Sequence, residues 1–130
     1  MATLTPTLSL VSTDATNDEL NLTVTDDLTV VAPYTGVAKT SVSTTGANNI
    51  IQPATDGQTY YVYVKHTGVD ANGAAVTTDL TVEDTDNVRF GKLGPGEFML
   101  VPHSKGAAKG VQLETSSGVI VAEYAYFTKA

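Results

Sequence analysis

The sequence predicts an all-β fold: a single-domain β-sandwich, jelly-roll or Ig-like, of about nine to eleven short strands. Three observations predict it. Runs rich in Val, Thr, Tyr and Leu alternate with Gly, Pro, Asn and Asp clusters from end to end. No segment holds a 3.6-residue apolar period through three turns, which a packed helix needs. At 130 residues the chain is long enough to bury roughly 68% of its unfolded surface as one domain.

Residues 1–7 are Thr-rich and lack an apolar face, so they read as a polar N-terminal arm ahead of a sandwich at residues 8–130. Leu8 and Leu10 open that body. Asp14 is placed to cap a single helical turn over residues 15–18. Leu20, Leu22 and Val24 alternate with Asn21, Thr23 and Thr25, the pattern of a half-buried strand. Asp26 and Asp27 interrupt it, and the apolar run from Leu28 ends at Pro33. A weaker, Thr/Ser-rich strand follows at residues 37–43, then a loop at 46–49 and a short apolar segment, Ile50-Ile51, closed by Pro53.

Residues 58–66 and 76–83 form the clearest pair. Tyr60, Val62 and Val64 share one face of the first run, with Tyr61, Tyr63 and Lys65 on the other; Val76, Thr78, Leu80 and Val82 alternate in the second. Side chains opposite each other in a hairpin lie on one face, so even positions must meet even positions and the loop must be odd. A three-residue loop, Ala71-Asn72-Gly73, satisfies this with Gly73 in the left-handed region. It predicts Val62 opposite Val82, Val64 opposite Leu80 and Lys65 opposite Asp79.

Beyond an acidic loop at 83–87, residues 88–93 read as a strand. Gly94-Pro95-Gly96-Glu97 predicts a type II turn, in which proline sets φ at the second position and glycine supplies a positive φ at the third. Residues 98–101 are apolar on both faces, as a central strand would be. A loop at 102–110 carries Lys105 and Lys109. Val111, Leu113 and Thr115 alternate with Gln112 and Glu114, Ser116-Ser117-Gly118 turns, and residues 119–127 form a long closing strand.

Net charge is −7 and pI about 4.5, which argues against nucleic acid or an anionic membrane as partner. Asp14, Asp18, Glu19, Asp26 and Asp27 crowd the first third, while Arg89, Lys92, Lys105 and Lys109 share one later stretch. On opposite faces these groups would suit head-to-tail or layered packing; otherwise they are a mixed, solvated surface. There is no cysteine, so no disulfide contributes. No basic-then-apolar leader opens the chain, and no apolar run approaches the ~18–20 residues of a membrane span, so synthesis in the cytoplasm is expected. Asn21-Leu22-Thr23 fits a glycosylation acceptor, which without a secretion signal is accidental.

His66 and His103 border loops, and neither has a second histidine or cysteine at ligand spacing. No Gly-x-Ser-x-Gly elbow exists, and β-propensity accounts for the many threonines. Asp14/Asp18/Glu19 and Glu83/Asp84/Asp86 miss the spacing of a calcium loop and read as solvated turns. The expectation is therefore no catalytic residue, no metal ligand and no cofactor. Of the tyrosines, Tyr61 and Tyr63 on the outer face, with Tyr124 and Tyr126, are best placed for function. An outward aromatic pair either covers a second sheet or meets a protein or a sugar.

Gly96 to Pro102, Gly-Glu-Phe-Met-Leu-Val-Pro, resembles the second motif of cupins. Ser104 stands where that family has glycine, and the histidine pair of its first motif is missing, so the resemblance implies jelly-roll topology without metal chemistry. Leu-Gly-Pro-Gly-Glu-Phe-Met-Leu-Val-Pro at 93–102, then 111–115 and 119–127, resembles the C-terminal part of small virion proteins of tailed bacteriophages. The resemblance implies a non-enzymatic capsid decoration or cement protein. Its partners would be the major capsid protein and itself, as a homo-oligomer such as a trimer. Its place would be the virion surface, after assembly in the host cytoplasm. Ala2, Thr3, Leu4, Thr5 and Pro6 of the arm, with Tyr61 and Tyr63, are the expected partner contacts. The alternative is a host-binding fibre or tail domain that recognises a surface glycan or receptor.

Overall fold

The fold is that of a computed structural model, which describes residues 1–46, 49–53, 55–106 and 110–130. It is all-β, with no α-helix among the described residues. The strands are β1 (Ala2–Leu4), β2 (Thr7–Ser12), β3 (Leu20–Thr25), β4 (Leu28–Tyr34), β5 (Ala38–Val42), β6 (Thr59–His66), β7 (Leu80–Asp84), β8 (Arg89–Leu93), β9 (Phe98–Ser104), β10 (Val111–Thr115) and β11 (Ile120–Lys129). All their pairings are antiparallel.

Two sheets enclose the core. The larger runs β1-β4-β11-β6-β9, with β5 also on β11; the smaller runs β10-β7-β8. β11 is the spine: β6 pairs along one side, while β5 and then β4 share the other. Val42, Tyr60, Val62, Val64, Ile120 and Ala122 of the large sheet meet Leu80, Val82, Leu93, Val111 and Leu113 of the small one, all of them buried. Ser43, Asn49 and Ile51 lie along the free edge of β10, where they share backbone hydrogen bonds with Thr115, Leu113 and Val111.

The expected hairpin is half right, and its failure is informative. At the turn, Val69 faces Ala75, the Asp70 N–H donates to Ala74 O at 2.9 Å, and Gly73 has φ +82°. Loop length, parity and the left-handed glycine are as expected. Beyond the turn the two strands part: β6 hydrogen-bonds to β11 and β9, and β7 to β10 and β8. Val62, Val64, Leu80 and Val82 do meet, but across the sandwich rather than along a ladder. Alternation aims an apolar face at the core, and either geometry satisfies it. Asp79 accordingly pairs with Lys92 at 2.9 Å, and Lys65 lies beside Phe98 and Glu123 instead.

Other expectations need correction. Ala2–Leu4 of the expected arm is a strand, paired with β4. Residues 13–18 bend without a helical turn, the Ser12 hydroxyl accepting from the Asp14 and Ala15 amides. β4 continues through Pro33, and the register of β11 shifts opposite it, between Phe127 and Thr128. β9 is an edge strand despite its two apolar faces, with Phe98 64% and Leu100 43% exposed. Lys109, and part of the loop expected at 46–49, lie outside the described residues.

Candidate functional site

Three surfaces are candidates, and the first is a ribbon. β2 and β3 pair only with each other among the named strands. Leu8 faces Val24, Leu10 faces Leu22 and Ser12 faces Leu20, which places five apolar side chains on one side. Thr7, Ser9, Val11, Asn21, Thr23 and Thr25 occupy the other. Leu8, Leu10, Leu22 and Val24 are 42–51% exposed, so the strand expected to be half-buried lies on no core. The ribbon's base is closed by the Asp26 N–H to Pro6 O and by the Thr5 hydroxyl to Asp27 Oδ1 at 2.7 Å.

The second surface is the outer face of the large sheet. Tyr61 and Tyr63 point there, away from Tyr60, Val62 and Val64, as the alternation predicts. The small sheet packs on the opposite face, against Tyr60, Val62 and Val64. Tyr61 lies between Phe127 and Pro102 in register and is buried, whereas Tyr63 lies between Ala125 and Leu100 and stays half-exposed. The Tyr63 hydroxyl donates to Glu123 Oε1 at 2.9 Å. Desolvation, with that bond and the carboxylate charge, pushes the Tyr63 phenol above its ordinary pKa. Tyr124 and Tyr126 turn the other way, against the core, where Tyr126 meets Tyr60 edge-on at 6.3 Å. Ala2 and Thr3 are exposed and Leu4 half-buried at the rim of this sheet, and Thr5 and Pro6 lead into the ribbon. The structure thus places the expected arm contacts on a sheet edge, apart from Tyr61 and Tyr63.

The third surface is a groove of about 530 Å3 on the small sheet. Thr81 lies at its centre between Lys92 and Glu114 in register, with Asp79, Arg89, Phe90 and Ser116 around it. Beneath it the expected acidic turn proves partly structural: Glu83 is 1% exposed, and Gln112 Nε2 donates to it at 2.9 Å and to Asn87 Oδ1 at 3.0 Å. Gly46 passes so close that a Cβ there would stand 2.8 Å from Gln112 Nε2. A hydrogen bond with the Glu83 carboxyl, then desolvation and the Glu83 charge, hold Glu114 above the ordinary carboxyl range, with Arg89 opposing. Donors and acceptors of both signs beside a partly exposed ring match the chemistry of a polyhydroxy ligand.

Both histidines serve the scaffold. His66 is fully buried; its Nδ1 accepts from the Gly68 N–H at 2.9 Å, so its Nε2–H donates to Thr78 O at 2.8 Å. His103 accepts from Gln52 Nε2 at 3.2 Å and stacks on Phe90 at 5.8 Å. Burial lowers its pKa, with the Lys105 charge, against an upward pull from Asp84. Among the described residues no group of three or more His, Asp or Glu is placed to hold a metal ion. The described residues of the basic stretch are also committed: Arg89 pairs with Glu83, Lys92 with Asp79, and the buried Lys105 with Asp56 at 2.8 Å.

Neither the ribbon's isolation nor the groove was foreseen. Alternation in the ribbon is identical to that of a core strand, and the groove's residues come from three strands and a turn. Compared with protein-family models, curated proteins and solved structures, the chain finds no match in any of the three.

Proposed function

We propose that this protein is a non-enzymatic structural protein of a tailed-phage virion, a capsid decoration or cement protein that binds the major capsid protein and stabilises the head. The observation that carries the reading is the uncovered apolar surface, spread over the ribbon and the outer sheet face. Patches of that kind on a folded domain mark contact with other macromolecules. The resemblance of residues 93–127 to small virion proteins supports the same reading, and so does the scaffold role of both histidines.

The mechanism is clamping. A stiff sandwich laid across capsomer junctions buries surface that must be re-exposed before the shell can expand. One standard contact buries ~1,600 Å2, and repetition by symmetry multiplies the effect. The β1 edge supplies the capsid contact in this reading, because its side away from β4 offers backbone donors and acceptors for strand addition.

Sedimentation of the purified chain with capsids, and separately with host cells, tests the proposal. The expected result is recovery with capsids and not with cells. A second reading, a receptor-binding tail or fibre domain, is favoured by the groove around Thr81; recovery with cells alone would establish it in place of the first.

A further inference from the structure

An isolated two-stranded hairpin is marginally stable in water, yet this chain carries one with its apolar face uncovered. A compact monomer of 13.5 kDa exposes about 6,500 Å2. This chain exposes 7408 Å2, an excess of about 900 Å2, close to the ~800 Å2 that each partner buries in a standard interface.

We infer that the β2–β3 ribbon of one copy lies on the outer face of the large sheet of the next. The dimensions agree. Six-residue strands at ~3.4 Å per residue make a ribbon ~20 Å long and ~10 Å wide with its side chains; β4, β11, β6 and β9 at ~4.8 Å spacing offer a face at least ~14 Å across. Phe98, Leu100 and Tyr34, 64%, 43% and 55% exposed, provide apolar area there. Charge agrees too. The first 38 residues contain Asp14, Asp18, Glu19, Asp26 and Asp27 and no lysine or arginine. On the receiving face Lys39 and Lys65 flank Glu123 in register, and neither forms an ion pair among the described residues. Carboxylates at one end of the ribbon therefore suit this basic row of the face. The contact is heterologous, joining different patches on the two copies, so successive copies close into a ring when the rotation permits. The inference draws on the same uncovered surface as the virion reading but needs no capsid, so self-association of the purified chain tests it separately from capsid binding.

Sedimentation velocity of the full chain at ~100 µM, well above the ~µM weak end for an interface of this size, should show a discrete oligomer. A ribbon variant, Leu10→Asp/Leu22→Asp, and a face variant, Leu100→Asp/Lys65→Glu, should each sediment as 13.5 kDa monomers. Mixed together they should form a 1:1 dimer and nothing larger, since one keeps an intact face and the other an intact ribbon. Leu10→Thr/Leu22→Thr, which retains strand propensity, should also be monomeric and covers the case in which the aspartates disturb folding. A monomeric parent chain, an oligomer unchanged in the variants, or a mixture that stays monomeric would each overturn the inference.

Discussion

At residue scale, the positions that matter most hold backbone or protons rather than chemistry. Gly73 has φ +82° and nothing within 4 Å of where a Cβ would stand, so substitution there meets backbone strain alone. Gly73→Val is expected to cost about 1–2 kcal/mol and Gly73→Asn much less, because asparagine tolerates the left-handed region. Urea unfolding of both variants checks this, and equal losses would contradict the turn. Two shifted groups set an opposed pH dependence. His103 lies below its ordinary 6.5, so its contribution is full above that value and is lost as pH falls through the folded pKa. Glu114 lies above its ordinary 4.5, so its contribution is full below that value and is lost as pH rises through its folded pKa. Melting temperature against pH should therefore respond in opposite senses. His103→Gln should remove part of the fall on acidification below 6.5. Glu114→Gln keeps a donor for Glu83 without the second charge, so it should raise the melting temperature at neutral pH.

The element scale turns on edges. β1 is short and lies outermost beside β4, so its contribution is a few backbone hydrogen bonds and the half-buried Leu4. As a polar arm, the segment could be removed with the melting temperature nearly unchanged and only capsid binding weakened. As a paired strand, deletion of Ala2–Leu4 is expected to lower stability by about 1–2 kcal/mol, the net of two or three backbone hydrogen bonds. A melting temperature identical to that of the full chain would mean that the segment does not pair in solution. β9 illustrates the converse. Its apolar residues face both ways, yet it is an edge, and Phe98 and Leu100 look outward for lack of a covering layer. Two-sided hydrophobicity signals two buried faces, and here one of them is not buried inside the monomer.

For the whole molecule, the consequence of uncovered area is mass action. If copies cover each other's apolar faces, unfolding is coupled to dissociation, and the melting temperature must rise with protein concentration. Calorimetry across a hundredfold range, about two decades of the association equilibrium, should show that rise in the parent chain and not in Leu10→Asp/Leu22→Asp. A concentration-independent transition in the parent chain would mean a self-sufficient monomer.

Strand-forming runs, their turns and the alternate residues that face inward are legible in the amino-acid order. They are so because alternation, proline, and glycine at positive φ act over a few residues, as at Gly73 and at Gly96, whose φ is +84°. The outward aim of Tyr61 and Tyr63 was legible for the same reason. Which strands share a sheet is set by the folded arrangement. It parted β6 from β7, left β2 and β3 to each other, and joined Thr81, Lys92 and Glu114 in one groove. Alternation says that a face is apolar but not what covers it: a packed sheet, a second copy or water. That choice depends on pairings between residues far apart in the chain, which no local pattern encodes.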